Sequence, residues 1–294
     1  AAERHAEDLP HVRLTLERRD VRPEAPVEAL AERLGAPANA RRDVDALASF
    51  LRAGERRLVL VDGLEQWFLR DVGGLAAWDT LQRLVEAVGD RIFWVGAFSH
   101  HAHEYLRWTR GRTPAFRDVV HLPAWSEGDI GALLQARMDA AGFSVVYDDL
   151  LVGPVEGVEA EAQLVGTARD YNRLLWDYAE GSPRAALAFW LRSLVPDGER
   201  TVRVRLFKSP DPALLEGLPE AEKFVLACAV WHERLTAVDA ARALHLSPAA
   251  CGDALARLAE HGVLYHARDD AFAVSYGFWP TVIRYLKRKH LVES

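Results

Sequence analysis

The chain has 294 residues, half of them hydrophobic, with a formal net charge of −7 and a pI near 5.9. That length holds roughly two or three domains with a sizeable core, and the composition excludes a disordered chain. The acidic balance argues against a general nucleic-acid coat while leaving room for a local basic patch, and no apolar run reaches membrane-spanning length.

His11–Leu16 (HVRLTL) reads as a strand. Pro23 and Pro26 mark a turn, Val27–Leu34 reads as a short helix ended by Gly35, and Asp43–Leu51 as an amphipathic helix. Arg57–Asp62 (RLVLVD) is an apolar run of the kind that forms a parallel strand covered on both faces. Leu75, Trp78, Leu81, Leu84, Val85 and Val88 recur at helical spacing and stop at Gly89. Arg91–Phe98 (RIFWVGAF) is a second buried strand. Polar Ser99, His100 and His101 read as the loop at its tip, ahead of a helical stretch over Glu104–Trp108. Val119–Leu122 reads as a further short strand after an arginine-rich loop. Strands and helices alternating at these distances mean βαβ units and a parallel sheet.

After Pro123 the pattern turns helical. Ser126 starts a helix to about Ala141, Gly153–Gly166 reads as an acidic loop, and Asp170–Glu180 and Pro183–Leu194 are two helices split by Gly181-Ser182. Thr201–Leu206 (TVRVRL) alternates as a strand or linker. From Pro219, helices are predicted over Ala221–Trp231, Thr236–Leu244 and Ser247–His261. A hairpin follows, Val263–His266 turning at Arg268–Asp270 into Phe272–Ser275. Three helices and a hairpin make the winged-helix pattern. A last helix, Thr281–His290, carries Arg284, Lys287, Arg288 and Lys289. The predicted fold class is therefore α/β, a partial P-loop NTPase-like parallel-sheet core over 1–123, then a small helical lid domain over 124–200 and a winged-helix domain over 201–294.

The chemistry concentrates around position 62. Asp62 ends an apolar strand and Glu65 follows three residues on, at the strand end where open α/β sheets bind ligands. Asp62 suits a water-mediated Mg2+ contact, and Glu65 suits orienting or deprotonating an attacking water. The plain alternative is that the two carboxylates end a strand and cap a helix. No G-x-x-x-x-G-K-[ST] run occurs anywhere in the chain, so the phosphate cradle is missing.

In this order the pieces resemble an AAA+ or STAND-type P-loop ATPase module entered after its P-loop, over nearly the full length. Asp62-Gly-Leu-Glu65 is similar to the Walker B segment of STAND ATPases of the NACHT kind, the strand ending at Ser99 to a sensor-1 strand, and Gly181-Ser-Pro-Arg184 to the sensor-2 start of a lid. The resemblance implies that Ser99 and Arg184 face the nucleotide and that Arg117 or Arg112 supplies an arginine finger to a neighbouring subunit. It also implies Mg2+ and ATP or ADP as ligands, and self-association. Family order places the P-loop before the HVRLTL strand, and the first residue is Ala, so the cradle is expected in a preceding segment. Serine at sensor 1 departs from the usual asparagine or threonine.

The expected function is a regulatory ATPase module that couples Mg-ATP binding and hydrolysis to a conformational switch or to assembly. Its enzymatic standing depends on the P-loop. One alternative is a DNA-binding ATPase of the replication-initiator or transposition type, with Arg257 on the third helix of the winged-helix segment and the basic set Arg284, Lys287, Arg288 and Lys289 meeting phosphates. Asp253 and Glu260 on that helix count against base reading, and a helix end complementing its dipole explains the basic tail equally well. The other alternative is an inactive scaffold for a protein partner. Cys228 and Cys251 match neither a zinc site nor a disulfide framework and read as core residues, His100, His101 and His103 as a solvated loop, and most tryptophans as core or interface anchors. Two cysteines and no signal-peptide pattern lead to an expected reducing, cytoplasmic setting.

Overall fold

A computed structural model describes residues 10–110, 116–147, 150 and 158–292. The chain divides into two compact units. One takes the residues up to His121 together with Pro219–Ala273, the other Leu122–Leu218 together with Val274–Val292. This grouping cuts across the expected three-segment division, because the helices between Pro219 and Ala273 pack against the N-terminal segment, as His232 does on Phe68 and Trp231 on Tyr105.

The first unit opens with β1 (His11–Thr15), α1 (Ala25–Arg33), α2 (Val44–Ala53), β2 (Arg57–Asp62), α3 (Ala76–Val88), β3 (Ile92–Ala97) and α4 (His100–Arg110). The three strands form one parallel sheet in the order β1-β2-β3. Its core joins Leu30, Leu47, Leu51, Val59, Val61, Leu81 and Leu84, the inward faces of the strands and helices. Asp43 caps α2 by accepting from the amides of Asp45 and Ala46.

Two expectations here are corrected. Ser99–His101 is no loop: Ser99 caps α4, whose apolar Ala102 and Leu106 are buried at helical spacing. Val119–Leu122 is no strand: Val119, Val120 and Leu122 are 49%, 82% and 89% exposed, and no ladder takes them up.

The second unit holds α5 (Glu127–Ala141), β4 (Ser144–Val146), α6 (Val158–Ala179), α7 (Pro183–Ser193), β5 (Leu194–Pro196), β6 (Thr201–Val204) and α8 (Ala213–Glu216). It is not purely helical. β4, β6 and β5 make a mixed sheet, β4 parallel and β5 antiparallel to β6. Strands three residues long are too short for alternation to reveal. Residues 158–166, expected in a loop, are the first turns of α6, and 151–157 lie outside the described residues.

The first unit resumes with α9 (Glu220–His232), α10 (Ala237–Leu244), α11 (Pro248–Glu260) and the two-stranded sheet of β7 (Leu264–His266) and β8 (Phe272–Val274). Thr236 and Ser247 cap α10 and α11. The final helix, α12 (Trp279–Arg288), sits in the second unit. No described helix is long and apolar enough to cross a membrane. Cys228 and Cys251 are buried and unbridged, as expected of core residues, whereas Trp108 is 75% exposed and anchors no core.

Candidate functional site

β2 is the central strand of the parallel sheet, and Asp62 is its last residue, paired in register with Thr15 and Ala97. The Asp62 carbonyl accepts the Leu16 amide at 2.9 Å, while its half-exposed carboxylate lies 3.6 Å from the Arg13 guanidinium. The chain then reverses at Gly63, with φ +83; a Cβ there would lie 2.9 Å from the Leu16 carbonyl oxygen. The next four residues, Leu64–Trp67, form one 3-10 turn and are all buried. Gly96 in β3 leaves the room that Leu64 fills, since a Cβ at that position would collide with it.

This turn carries the Glu65 side chain inward, to 5% exposure. One carboxylate oxygen accepts the Ser99 amide at 3.3 Å, at the head of α4, where exposed amides favour an anion. Burial pushes the Glu65 carboxyl up to about 7, and the neighbouring Glu233 carboxylate adds to that; its own amide, the Ser99 amide and the Arg19 guanidinium pull the other way. Ser99 is occupied structurally, its hydroxyl accepting the Ala102 amide at 3.2 Å. The sheet rim thus joins an accessible carboxylate and, three residues on, a buried carboxyl that titrates near neutrality. Such a pair can hold a hydrated cation on one member and shuttle a proton on the other.

Asp62 fits a divalent cation held through water rather than a protein-built cage: among the described residues no group of three His, Cys, Asp or Glu side chains could hold a metal ion. His100, His101 and His103 fall under that finding; the His100 ring packs with those of His101 and His121, and the His103 ring with that of His121, at 5.2–6.0 Å between centroids. Two surface cavities, about 420 Å3 beside Asp170, Arg173 and Asp177 and about 270 Å3 beside Asp71, Asp79 and Thr109, are lined by neither Asp62 nor Glu65.

The structure thus joins Glu65 to Ser99 through the Ser99 amide and places Asp62 three residues before Glu65, at the end of β2. Arg117 is exposed in the same unit, and Arg112 lies outside the described residues. Arg184 belongs to the second unit. It stands exposed in the first turn of α7, which Ser182 caps, with its guanidinium 5.6 Å over the Tyr276 ring. Most of the proposed DNA-contacting cations have protein partners. Arg257 pairs with Glu222 at 2.6 Å, Arg284 with Glu180 at 3.4 Å, Arg288 with Glu216, and Lys289 with Glu216 at 3.1 Å; Lys287 is partly exposed. Sequence reasoning missed Arg19 and Glu233, which act on Glu65 from segments far apart in the chain, and His232, whose ring packs against Phe68.

No protein-family model matches the chain, and no curated protein matches it. Two solved structures align along most of its length. Cdc6p from Pyrobaculum aerophilum is 17% identical over 96% of this chain and 81% of its own, with a TM-score of 0.32. The Aeropyrum pernix ORC2 protein, solved as ADPNP-ADP complexes, is 17% identical over 98% and 82%, with a TM-score of 0.35.

Proposed function

We propose that the chain is a regulatory ATPase module of AAA+ or STAND type, in which Asp62 holds hydrated Mg2+ and Glu65 orients the attacking water. The observation that carries this is the pairing at the end of the central strand: an accessible Asp62 and a buried Glu65 fixed at the Ser99 amide. Bound Mg2+ would neutralise phosphate charge. Glu65, ionising near pH 7, can take a proton from water, and its burial keeps bulk solvent from competing.

A phosphate cradle has to be added. Among the described residues β3, like β1, is an edge of the sheet, with Phe93 68% exposed, although parallel sheets are ordinarily covered and flanked. A further parallel strand at that edge is the place for the Walker A segment. Arg184, in the lid of this reading, would then sense the phosphate state.

The test is calorimetry of Mg-ATP and ADP with this chain and with a form supplemented by a P-loop segment. Binding only in the supplemented form is expected, and Glu65→Gln in that form should abolish turnover while leaving ATP binding within about threefold. Unchanged turnover would remove Glu65 from the mechanism. An inactive scaffold is the second reading, favoured by the absence of any G-x-x-x-x-G-K-[ST] run; failure of the supplemented form to bind nucleotide would support it.

A further inference from the structure

The connection between β1 and α1 carries Arg19, whose side chain is only 5% exposed. A guanidinium has five N–H donors, and here every one has an acceptor. Nε donates to the Phe68 carbonyl at 3.0 Å. One terminal nitrogen donates to the Arg234 carbonyl at 2.7 Å and the Asp239 carboxylate at 3.3 Å, the other to the His232 carbonyl at 2.9 Å and the Glu65 carbonyl at 3.4 Å. Two acceptors belong to the turn that carries Glu65 and the residue just after it. The other three come from the α9–α10 corner: the last residue of α9, Arg234 in the connection and Asp239 in the first turn of α10.

That corner is strained. Glu233 has φ 56 and ψ −44, a region L residues seldom adopt, and the carbonyls on either side of it both accept from Arg19. Nearby, the His232 ring packs 5.1 Å from Phe68, with neither ring nitrogen hydrogen-bonded among the described residues. Withdrawing the guanidinium would leave buried carbonyls unpaired and remove what holds the corner.

We propose that Arg19 is a latch, a positioning residue that makes the placement of the Glu65 turn and the docking of the α9–α10 corner one event. The latch operates whether or not the chain hydrolyses nucleotide. Around Glu65 stand Arg19 from the β1–α1 connection, Glu233 from the corner and the Ser99 amide from the head of α4; around Arg19 stand Asp239 and Cys228.

Charge and docking act on Glu65 in opposite directions. The guanidinium favours the carboxylate, while burial and Glu233 favour the acid. Loss of the cation alone therefore raises the pH at which Glu65 ionises, whereas opening of the corner lowers it. The experiment is a carbon-13 carboxyl titration of Glu65 with amide hydrogen exchange, on the full chain and its Arg19→Ala and Asp239→Asn variants. Arg19→Ala is expected to move the Glu65 midpoint down from about 7 toward 4.5. It should also speed exchange of the Leu235 and Asp239 amides by about tenfold or more, with β2 amides still protected. Asp239→Asn shifts both readouts the same way to a smaller extent, and decides the matter if Arg19→Ala does not fold. A midpoint that rises or stays, or corner amides that exchange as before, overturns the latch.

Discussion

Glu65 and His232 lie against the same corner and titrate in opposite senses. Folded, Glu65 keeps its proton to about pH 7, whereas its ordinary value is 4.5. The folded state therefore binds the extra proton, and stability falls as pH rises through that window, by on the order of 3 kcal/mol once both states are ionised. Burial holds His232 neutral, well below its ordinary 6.5, so stability falls as pH drops below 6.5. Between about pH 4.5 and 6.5 the two slopes oppose each other. With Glu65→Gln, the urea midpoint is expected to rise with pH across that interval; with His232→Leu it is expected to fall. Parallel profiles for the two variants would contradict these assignments. Asp62 and Glu65 were legible in the sequence because an apolar run ending in carboxylates stands out. Arg19 was not, because four of its five acceptors are backbone carbonyls, two of them 213 and 215 positions away, and a carbonyl has no signature in a sequence.

At the scale of elements, the strands and helices of the first unit follow the apolar pattern closely, since β2 and β3 read as continuous runs and α3 as a helical stripe. The errors share a cause: local composition does not say which partner is present. Ser99 and its histidines looked like a polar loop, yet a capping hydroxyl and two apolar residues a turn apart suffice for α4. Val119–Leu122 looked like a strand but has no ladder. β4 and β5 are strands through their pairing with β6 rather than through any pattern of their own. The turn after β2 makes a sharp prediction. Gly63 has φ +83, and an added methyl would stand 2.9 Å from the Leu16 carbonyl oxygen. Gly63→Ala should therefore cost about 1–3 kcal/mol, read as a lower urea midpoint at unchanged slope. A midpoint within error of the parent would mean the turn relaxes freely.

Across the whole molecule, charge pairing bears on the DNA alternative. The net charge is −7, and Arg257, Arg284, Arg288 and Lys289 are paired with Glu222, Glu180 and Glu216. Cations already balanced by carboxylates release few counterions from a duplex. The log–log salt dependence of duplex binding is expected to be no steeper than about −2, and Glu216→Gln, which frees Arg288 and Lys289, should tighten binding at low salt. A steep slope in the parent, lost when Arg284, Lys287, Arg288 and Lys289 become alanine, would revive the nucleic-acid reading.

The bare side of β3 also has a direction. Its C-terminal end lies in register with Asp62. A strand laid alongside β3 in the same sense delivers its own final residue, and whatever loop comes next, to the rim where the carboxylates stand. One laid in the opposite sense delivers its beginning there instead. The compass bearing of an incoming segment thus decides which of its ends can meet the acids, and a donor that pairs well but points backwards would bring its leading connection, not its trailing one, to the rim.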